Sequence, residues 1–465
     1  MAILDNQAIR NVHCMGIGGI GVSGIAELLL RKGYQVSGSD VSNSATTTRL
    51  QSLGATITKG HASGNVQHAD LVVYSSAISQ DNPELVAAKT AQIPLISRGQ
   101  LLAELMNESE GVAISGTHGK TTTTGLLAQI FVSADMDPSY LIGGRINDQS
   151  STVRMGEGRF FIAEADESDA SFLYMSPKIV VVTNLEPDHM ETYHDDFSEL
   201  KQSFLDFIEK LPGDGVAILG VDNPAVRALI PQISKRIVTF GFSEDADIRA
   251  SDFKQVGLES HFSVSRGSDD ASLLVQLNLP GQHNVLNALA AISVAKEVGI
   301  DNFSLLNTLR AFPGVGRRFH AHGEILVKDG SVLLFEDYGH HPSAIDATVK
   351  VARQAWPDRR IVLAFQPHRY SRTRDLFQAF VKSLSAPDVL LLLDVYAAGE
   401  QPIVGADGLA LCEAISQQGQ IEPVFISKID TLSKTLKDVL LADDVLILQG
   451  AGNVGAMAAN LLEVS

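Results

Sequence analysis

Residues 115–124, SGTHGKTTTT, combine glycine, lysine and hydroxyl side chains in the order that wraps a polyphosphate. Backbone N–H groups at the start of a helix point one way and favour anionic oxygens. Lys120 adds a mobile positive charge, and the Thr121 hydroxyl is a hard oxygen ligand for Mg2+. The general phosphate-loop pattern, G-x-x-x-x-G-K-[ST], asks for glycine where this chain has Ile114, so the match is partial; Gly116 and Gly119 still permit a tight backbone approach. The loop implies a nucleoside triphosphate. The alternative is an ordinary glycine-containing turn from strand to helix.

Gly16, Gly18 and Gly21 form G-x-G-x-x-G, with Asp40 at the end of the next apolar stretch. A tight turn feeding a helix, followed by an acid about 20 residues on, is the fingerprint of a bound dinucleotide diphosphate. A turn required only by packing is the competing explanation. A nicotinamide enzyme would be the routine inference, but it leaves the second phosphate loop at 115–124 without a purpose. Two separate phosphate ligands are implied.

The run EADESD places Glu164, Asp166, Glu167 and Asp169 at the end of an apolar stretch, where open α/β sheets present ligand loops. Carboxylates there suit Mg2+, which takes one or two protein oxygens and keeps several waters, so not all four need be ligands. On the next apolar run comes NLEPDH, in which Asp188 and His189 stand together. Asn284 and Asn287 follow LPGQ at a helix start: Asn284 either caps that helix or meets a nucleotide, whereas Asn287 lies a turn further in, where capping explains it poorly. Arg317 and Arg318 after FPGVG are either a solvated pair or, on a hinge beside a nucleotide domain, neutralise a transferring phosphoryl group. Two polar clusters come last, DYGHHP with Tyr338, His340 and His341, and QPHRYSR with His368, Arg369 and Arg372. Strand ends of one sheet converge on one edge, where an arginine can grip a carboxylate bidentately; this suits a small acid or an amino acid. The histidine spacing does not match a zinc site.

These residues need strands to carry them. NVHCMGIG, YQVSGSD and ADLVVYSSA alternate with amphipathic stretches in a βαβ rhythm; GVAISG, FFIAEAD, KIVVVTNLE and DGVAILG repeat it, followed by an antiparallel-looking passage, SHFSVSRGSDDASLLVQLNLPG, with a polar turn in its middle. The rhythm restarts with SVLLFEDYGHHP, RRIVLAFQPH, DVLLLLDVY, PVFIS and DDVLILQGAG. Domain boundaries are expected near residues 107 and 316, and three α/β units fit 465 residues better than one giant sheet. With 45% hydrophobic residues the cores are well supplied. A net charge of −18 argues against unspecific nucleic-acid binding, which needs a basic face. Two cysteines, Cys14 and Cys412, offer no disulfide framework or thiolate metal site. MAILDNQAIR lacks the features of a signal peptide, and no apolar run nears the ~18 residues that span a bilayer. The expectation is a cytoplasmic enzyme without membrane insertion.

In their order, GIGGIGVSGIAELL, SGTHGKTTTT, EADESDASF, NLEPDHMETY, GQHNVLNALAA, FPGVGRRF, EDYGHHP and QPHRYSRT closely resemble the Mur ligase family, and the resemblance covers nearly the whole chain. The family's own loop reads Gly-Thr-x-Gly-Lys-[Ser/Thr], which removes the difficulty of Ile114. The resemblance implies three α/β domains: an N-terminal Rossmann-like UDP-sugar domain (1–107), a central P-loop ATPase with a mostly parallel sheet plus a small antiparallel one (108–316), and a C-terminal Rossmann-like amino-acid domain (317–465). It implies ATP and Mg2+, with UDP-N-acetylmuramate, L-alanine and ATP as substrates: ATP phosphorylates the lactyl carboxylate, and the alanine amine attacks the acyl phosphate. Carried over by motif, Gly116, Thr117, Gly119, Lys120, Thr121 and Thr122 hold ATP with Asn284 and Asn287; Thr121, Glu164 and His189 hold metal, Glu167 standing in reserve for Glu164. Arg317 or Arg318 meets the γ-phosphate. Gly16, Gly18, Gly19 and Gly21, with Asp40, cradle the UDP diphosphate. Tyr338, His340, His368, Arg369 and Arg372 form the alanine pocket. Related ligases position a second metal with a carbamoylated lysine, for which Lys201 carries no signature. Competing readings are a ligase adding a tripeptide to the same UDP-sugar, a dinucleotide-dependent oxidoreductase and an ATP-driven switch.

Overall fold

The computed structural model describes residues 3–5, 8–75, 78–147, 151–266 and 272–463. Among them the strands form three sheets, each built from the βαβ alternation expected. The first contains β1 (Asn11–Met15), β2 (Gln35–Asp40), β3 (Thr56–Lys59), β4 (Leu71–Tyr74) and β5 (Leu95–Ser97), in the order β3-β2-β1-β4-β5 with parallel pairing throughout. The chain leaves β1 toward β2 on one side and later returns to β4 on the other. The glycine-rich loop therefore lies at the topological switch point, where a parallel sheet opens a crevice at its carboxyl ends.

The second sheet contains β6 (Glu110–Ser115), β7 (Ser139–Leu141), β8 (Val153–Arg154), β9 (Phe160–Glu164), β10 (Ile179–Val182), β11 (Val216–Gly220), β12 (Arg236–Gly241), β13 (Ile248–Val256), β14 (Glu259–Arg266) and β15 (Leu273–Leu277), ordered β15-β14-β13-β12-β11-β10-β6-β9-β7-β8. Strands β6, β9, β10 and β11 are buried almost throughout, which requires the near-continuous apolar runs seen there. Register aligns Ser115 with Val182 and Ile114 with Glu164, so the loop after β6 emerges between the ends of β9 and β10. The passage read as a small antiparallel sheet forms β13–β15, continuous with the parallel strands through β12 and β13; its central turn, 267–271, lies outside the described residues.

The third sheet contains β16 (His320–Val327), β17 (Gly330–Asp337), β18 (Ile361–Phe365), β19 (Val389–Leu393), β20 (Val424–Ile426) and β21 (Val445–Gln449), ordered β16-β17-β21-β18-β19-β20; β16 and β17 pair antiparallel and the others parallel. Alternate residues feed separate cores on its two faces: Val362, Ala364 and Leu391 on one, Ile361, Leu363, Phe365 and Leu392 on the other.

The chain packs as two compact units. One comprises Met1–Asp252, Phe262–Leu277 and Asn284–Pro313, the other Phe253–His261, Asn278–His283 and Gly314–Ser465. The first sheet and most of the second share the first unit because one apolar core runs between them, from Ile25, Leu29, Leu101 and Leu105 to Phe172, Phe204 and Phe207.

A polar cluster lies beside the first sheet. Glu84, fully buried, accepts from Ser39 Oγ at 2.6 Å and Asn65 Nδ2 at 2.5 Å, and His61 Nδ1 lies at 3.1 Å. Burial alone pushes its carboxyl up, but His13, whose Nε2 lies 3.5 Å away, and hydrogen bonds with Ser39, Asn65 and His61 outweigh it and hold Glu84 at about 2. Because that is below the unfolded value of about 4.3, the carboxylate stabilises the fold above that value and loses its contribution as pH falls through the folded one. Glu84→Gln should therefore flatten the acid limb of the stability profile, measured as urea midpoints from neutral to acid pH; an acid limb as steep as the parent's would contradict this.

Candidate active site

The loop from Gly116 to Gly119 joins β6 to the helix Lys120–Ser133. Gly116 has φ +124° and Gly119 φ +88°, both in the region that favours glycine. A methyl group on Gly116 would lie 2.2 Å from Thr183 Oγ1 and 2.8 Å from the Asn184 carbonyl; on Gly119 it would lie 2.2 Å from Asn287 Oδ1. The end of β10 braces the turn. Asn184 Oδ1 accepts from His118 N at 2.8 Å, Asn184 Nδ2 donates to the His118 carbonyl at 2.9 Å, and Thr183 Oγ1 donates to that same carbonyl at 2.6 Å. A loop held this way meets an anion without first paying to become ordered.

Lys120 Nζ donates to both carboxylate oxygens of Glu167, at 2.6 and 2.8 Å, and to the Gly116 carbonyl at 2.7 Å. Burial opposes the lysine charge, but Glu167, Asp166 and Glu164 outweigh it and raise Lys120 above its ordinary value. Burial likewise pushes Glu167 up, to about 7. Thr121 Oγ1 donates to Glu164 Oε2 at 3.2 Å, and Gly143 N donates to Glu164 Oε1 at 2.5 Å. A hydroxyl beside a carboxylate at the mouth of a phosphate loop is a hard-oxygen donor pair, which fits Mg2+.

The four acids of EADESD divide their work. Glu164 meets Thr121 and Glu167 meets Lys120, while Asp166 and Asp169 take Arg98 NH2 at 3.1 and 3.5 Å. The following turn is tied to them: Thr192 Oγ1 donates to the Ser168 carbonyl at 2.7 Å, and the Tyr193 hydroxyl donates to that of Glu167. This holds His189, itself at φ +55°, with its Nε2 3.6 Å from Asp188 Oδ2. Lys201 instead lies over the Phe197 ring, 4.9 Å from its centroid.

The helix carrying both asparagines begins at Gln282, so Asn284 lies within its first turn instead of capping it. Asn287 Nδ2 donates to Asn284 Oδ1 at 3.2 Å, and Thr123 Oγ1 donates to Asn287 Oδ1 at 3.4 Å. The pair thus backs the phosphate loop. In the first sheet Gly16 has φ +68°, and Asp40 accepts from Gly18 N at 2.9 Å and Ser42 N at 3.1 Å, so its carboxylate shapes the glycine loop.

In the second unit, β17, β21 and β18 end side by side, Asp337 and Phe365 both flanking Gln449. Beyond these ends the rings of Tyr338, His340, His368 and Tyr396 follow one another at centroid distances of 5.5, 5.8 and 5.6 Å. Arg372 NH1 donates to the His368 carbonyl at 3.2 Å. Arg369 has φ +71° and faces Glu400 across 3.9 Å; Glu400 also accepts from Ser371 Oγ at 2.6 Å. Arg317 Nε donates to Glu336 at 2.8 Å, and its NH2 to the Gly450 and Gly452 carbonyls at 3.3 Å. Arg318 lies over the Tyr338 ring at 5.0 Å and faces the part-buried Asp337, whose carboxyl is raised by desolvation.

The sequence matches three family models in register with these sheets: Mur ligase family, catalytic domain over 11–110, Mur ligase middle domain over 114–295 and Mur ligase, glutamate ligase domain over 317–452. The chain belongs to the Mur ligase family. It is similar to the UDP-N-acetylmuramate–alanine ligase of Thermotoga maritima, with 27% identity, 98% of each chain covered and a TM-score of 0.83. It also shares the fold of a murein peptide ligase from Psychrobacter arcticus 273-4, with 24% identity, 98% of each chain covered and a TM-score of 0.73. A third similar structure is the UDP-N-acetylmuramate:L-alanyl-gamma-D-glutamyl-meso-diaminopimelate ligase from Neisseria meningitides, with 26% identity, a TM-score of 0.60, and 65% of this chain and 98% of that one covered.

As a Mur ligase the protein is an ATP-dependent ligase of peptidoglycan synthesis, in a family that generally uses Mg2+ with ATP. This removes the oxidoreductase and switch readings. Among the described residues no helix is long and apolar enough to cross a membrane. Lys120, Thr121, Glu164, Glu167, Asn284 and Asn287 gather around one loop of this Mur ligase, and Tyr338, His340, His368, Arg369 and Arg372 around one sheet edge. Sequence reasoning missed Arg98, Tyr396 and Glu400, and it placed Asn184 in the strand-end motif without giving it a role of its own. Tyr396 and Glu400 had a readable signal, since DVYAAGE follows the apolar run of β19 as the other polar clusters follow theirs. Arg98 had none, because both its partners are remote in the chain.

Proposed function

We propose that this Mur ligase joins L-alanine to the lactyl carboxylate of UDP-N-acetylmuramate, with ATP as phosphoryl donor, in the cytoplasm. The observation that carries this reading is the full-length likeness to the Thermotoga maritima alanine ligase, over 98% of both chains. The tyrosine, histidine and arginine cluster on the third sheet supports it. We assign residues 1–107 to the sugar nucleotide, 108–316 to ATP and 317–465 to the amino acid.

A carboxylate is a poor acyl donor, so the chemistry takes two steps. A lactyl oxygen attacks the γ-phosphorus and the bond to the β-phosphate oxygen breaks, releasing ADP and leaving an acyl phosphate. The unprotonated alanine amine then attacks the carbonyl carbon, the carbon–oxygen bond to phosphate breaks, and phosphate departs with the electron pair while the amine proton passes to a base. Lys120 and the amides of Gly116–Thr122 hold the β- and γ-phosphates. Thr121, Glu164 and His189 are the residues that would hold Mg2+, which when bound neutralises charge on the phosphoryl oxygens. Arg317 or Arg318 is the candidate partner of the γ-phosphate. Arg369 and Arg372 grip the alanine carboxylate. Gly16, Gly18, Gly19 and Gly21 receive the UDP diphosphate, with Asp40 supporting their loop.

Phosphate release measured with ATP, L-alanine and UDP-N-acetylmuramate, and with each omitted, tests the reading; release independent of either acceptor substrate would overturn it. The likeness to the Neisseria enzyme favours one second reading, a tripeptide acceptor at the same site. Competition between L-alanine and the tripeptide L-alanyl-γ-D-glutamyl-meso-diaminopimelate separates them, with alanine expected to be used. Arg369→Ala should raise the KM for alanine by about tenfold or more, the scale of one charge-assisted bidentate pair, and leave UDP-N-acetylmuramate affinity intact. Selective loss of sugar-nucleotide affinity would remove Arg369 from the amino-acid site.

A further inference from the structure

Arg98 opens the helix Arg98–Asn107, whose start is fixed by a capping box: Gln100 N donates to Ser97 Oγ at 3.2 Å and Ser97 N to Gln100 Oε1 at 3.1 Å. From there its side chain lies against the glycine loop of the first sheet. A methyl group on Gly21 would lie 2.7 Å from Arg98 Cδ and 2.8 Å from NH1, so the arginine packs directly against the last glycine of G-x-G-x-x-G. The other end of the fork pairs with Asp166 and Asp169. Their turn is pressed equally close: a methyl on Gly99 would lie 2.1 Å from Ser171 Cβ. Both carboxylates are fixed by backbone donors, Asp166 by Ser168 N at 3.1 Å and Asp169 by Ser171 N at 3.0 Å. Adjacent acids of one turn thus answer two cations, Asp166 facing Arg98 and Glu167 facing Lys120.

We propose that Arg98 binds the diphosphate of the sugar nucleotide and, through Asp166, couples its arrival to the phosphate loop. This rests on the UDP-sugar reading of the glycine loop. A diphosphate seated on Gly16–Gly21 draws the guanidinium away from Asp166 and Asp169 and leaves those carboxylates to face the cations of the neighbouring site. Freed of Arg98, the acids favour Mg2+ with ATP more strongly, so each substrate strengthens the other, by the same factor in both directions. For the second site Arg98 is a positioning residue.

Calorimetric binding of UDP-N-acetylmuramate, with and without Mg2+ and a non-hydrolysable ATP analogue, tests this on the parent, Arg98→Gln, Arg98→Lys and Asp166→Asn. The parent should bind the sugar nucleotide more tightly when the analogue is present. Arg98→Gln should weaken sugar-nucleotide binding by about tenfold, the scale of one charge-assisted pair, and abolish the effect of the analogue; Arg98→Lys should keep part of both. Asp166→Asn gives the decisive sign. With a competing carboxylate removed, it should bind the sugar nucleotide at least as tightly as the parent while losing most of the coupling, whereas a merely structural ion pair predicts the same weakening as Arg98→Gln. Parent-like affinity and coupling in Arg98→Gln, or weakened binding in Asp166→Asn, overturns the proposal. Failure of the parent itself to bind UDP-N-acetylmuramate instead overturns the sugar-nucleotide reading.

Discussion

Lys120→Ala should lower turnover by at least about 10²-fold, the scale for removing one charge partner of a developing transition state. Its Nζ is held within 2.8 Å of both Glu167 oxygens and the Gly116 carbonyl. It therefore meets a phosphoryl group from a fixed position, and a lysine swinging in from solvent could not contribute as much. The substitution also strips a buried acid of its cation. Glu167 is already raised to about 7 by burial and lies higher still without Lys120. An acid raised in the folded state keeps its stabilising contribution below its unfolded value of about 4.3 and loses it as pH rises through the folded one. Lys120→Ala should therefore be destabilised more at alkaline than at acid pH, and adding Glu167→Gln should restore stability without restoring turnover. Steady-state rates and thermal unfolding across pH measure both arms. Near-normal turnover in the single variant would contradict the phosphate-loop assignment, and a double variant that regained turnover would show that the loss came from folding.

Gly116→Ala should weaken nucleotide binding at least about tenfold. At φ +124° a side chain is strained by about 1–3 kcal/mol. The added carbon would also lie 2.2 Å from Thr183 Oγ1 and within 3.0 Å of the Asn184 carbonyl and amide, backbone atoms that cannot turn aside. Relief requires the loop to leave the end of β10, which breaks the Asn184 bonds to His118 and disperses the amides aimed at phosphate. Gly213→Ala is the control, because nothing lies within 4 Å of its added methyl. Calorimetry with a non-hydrolysable ATP analogue should show at least a tenfold loss of affinity for Gly116→Ala, about 1.4 kcal/mol or more, and none for Gly213→Ala. Equal affinities would mean that the loop does not need its glycine to hold nucleotide.

Much of this site was legible because its parts are local. The glycines and Lys120-Thr121 at a strand-to-helix turn carry their geometry with them: Gly116 and Gly119 do adopt positive φ, and Lys120 does open the helix. The strand ends were readable for a similar reason, since buried parallel strands need apolar runs, and the polar residues after those runs must emerge at the carboxyl edge. Asn284 shows where such reasoning weakens. Near a helix start the sequence leaves two readings of it open, a cap or a nucleotide contact, and only the structure, in which the helix begins at Gln282, removes the cap.

The sequence by itself determined three α/β sheets, a Gly-Lys-Thr loop between strand and helix, a glycine-rich loop at a strand end and acids beside them, because chain direction, period and backbone freedom are written in neighbouring residues. Only the tertiary structure decided which acid serves which cation: Glu167 on Lys120, Glu164 on Thr121, and Asp166 with Asp169 on Arg98. All four lie within six residues of one another, so the order of sheet strands and the close packing of Gly99 on Ser171 made that choice, and pairing across such separations follows from packing.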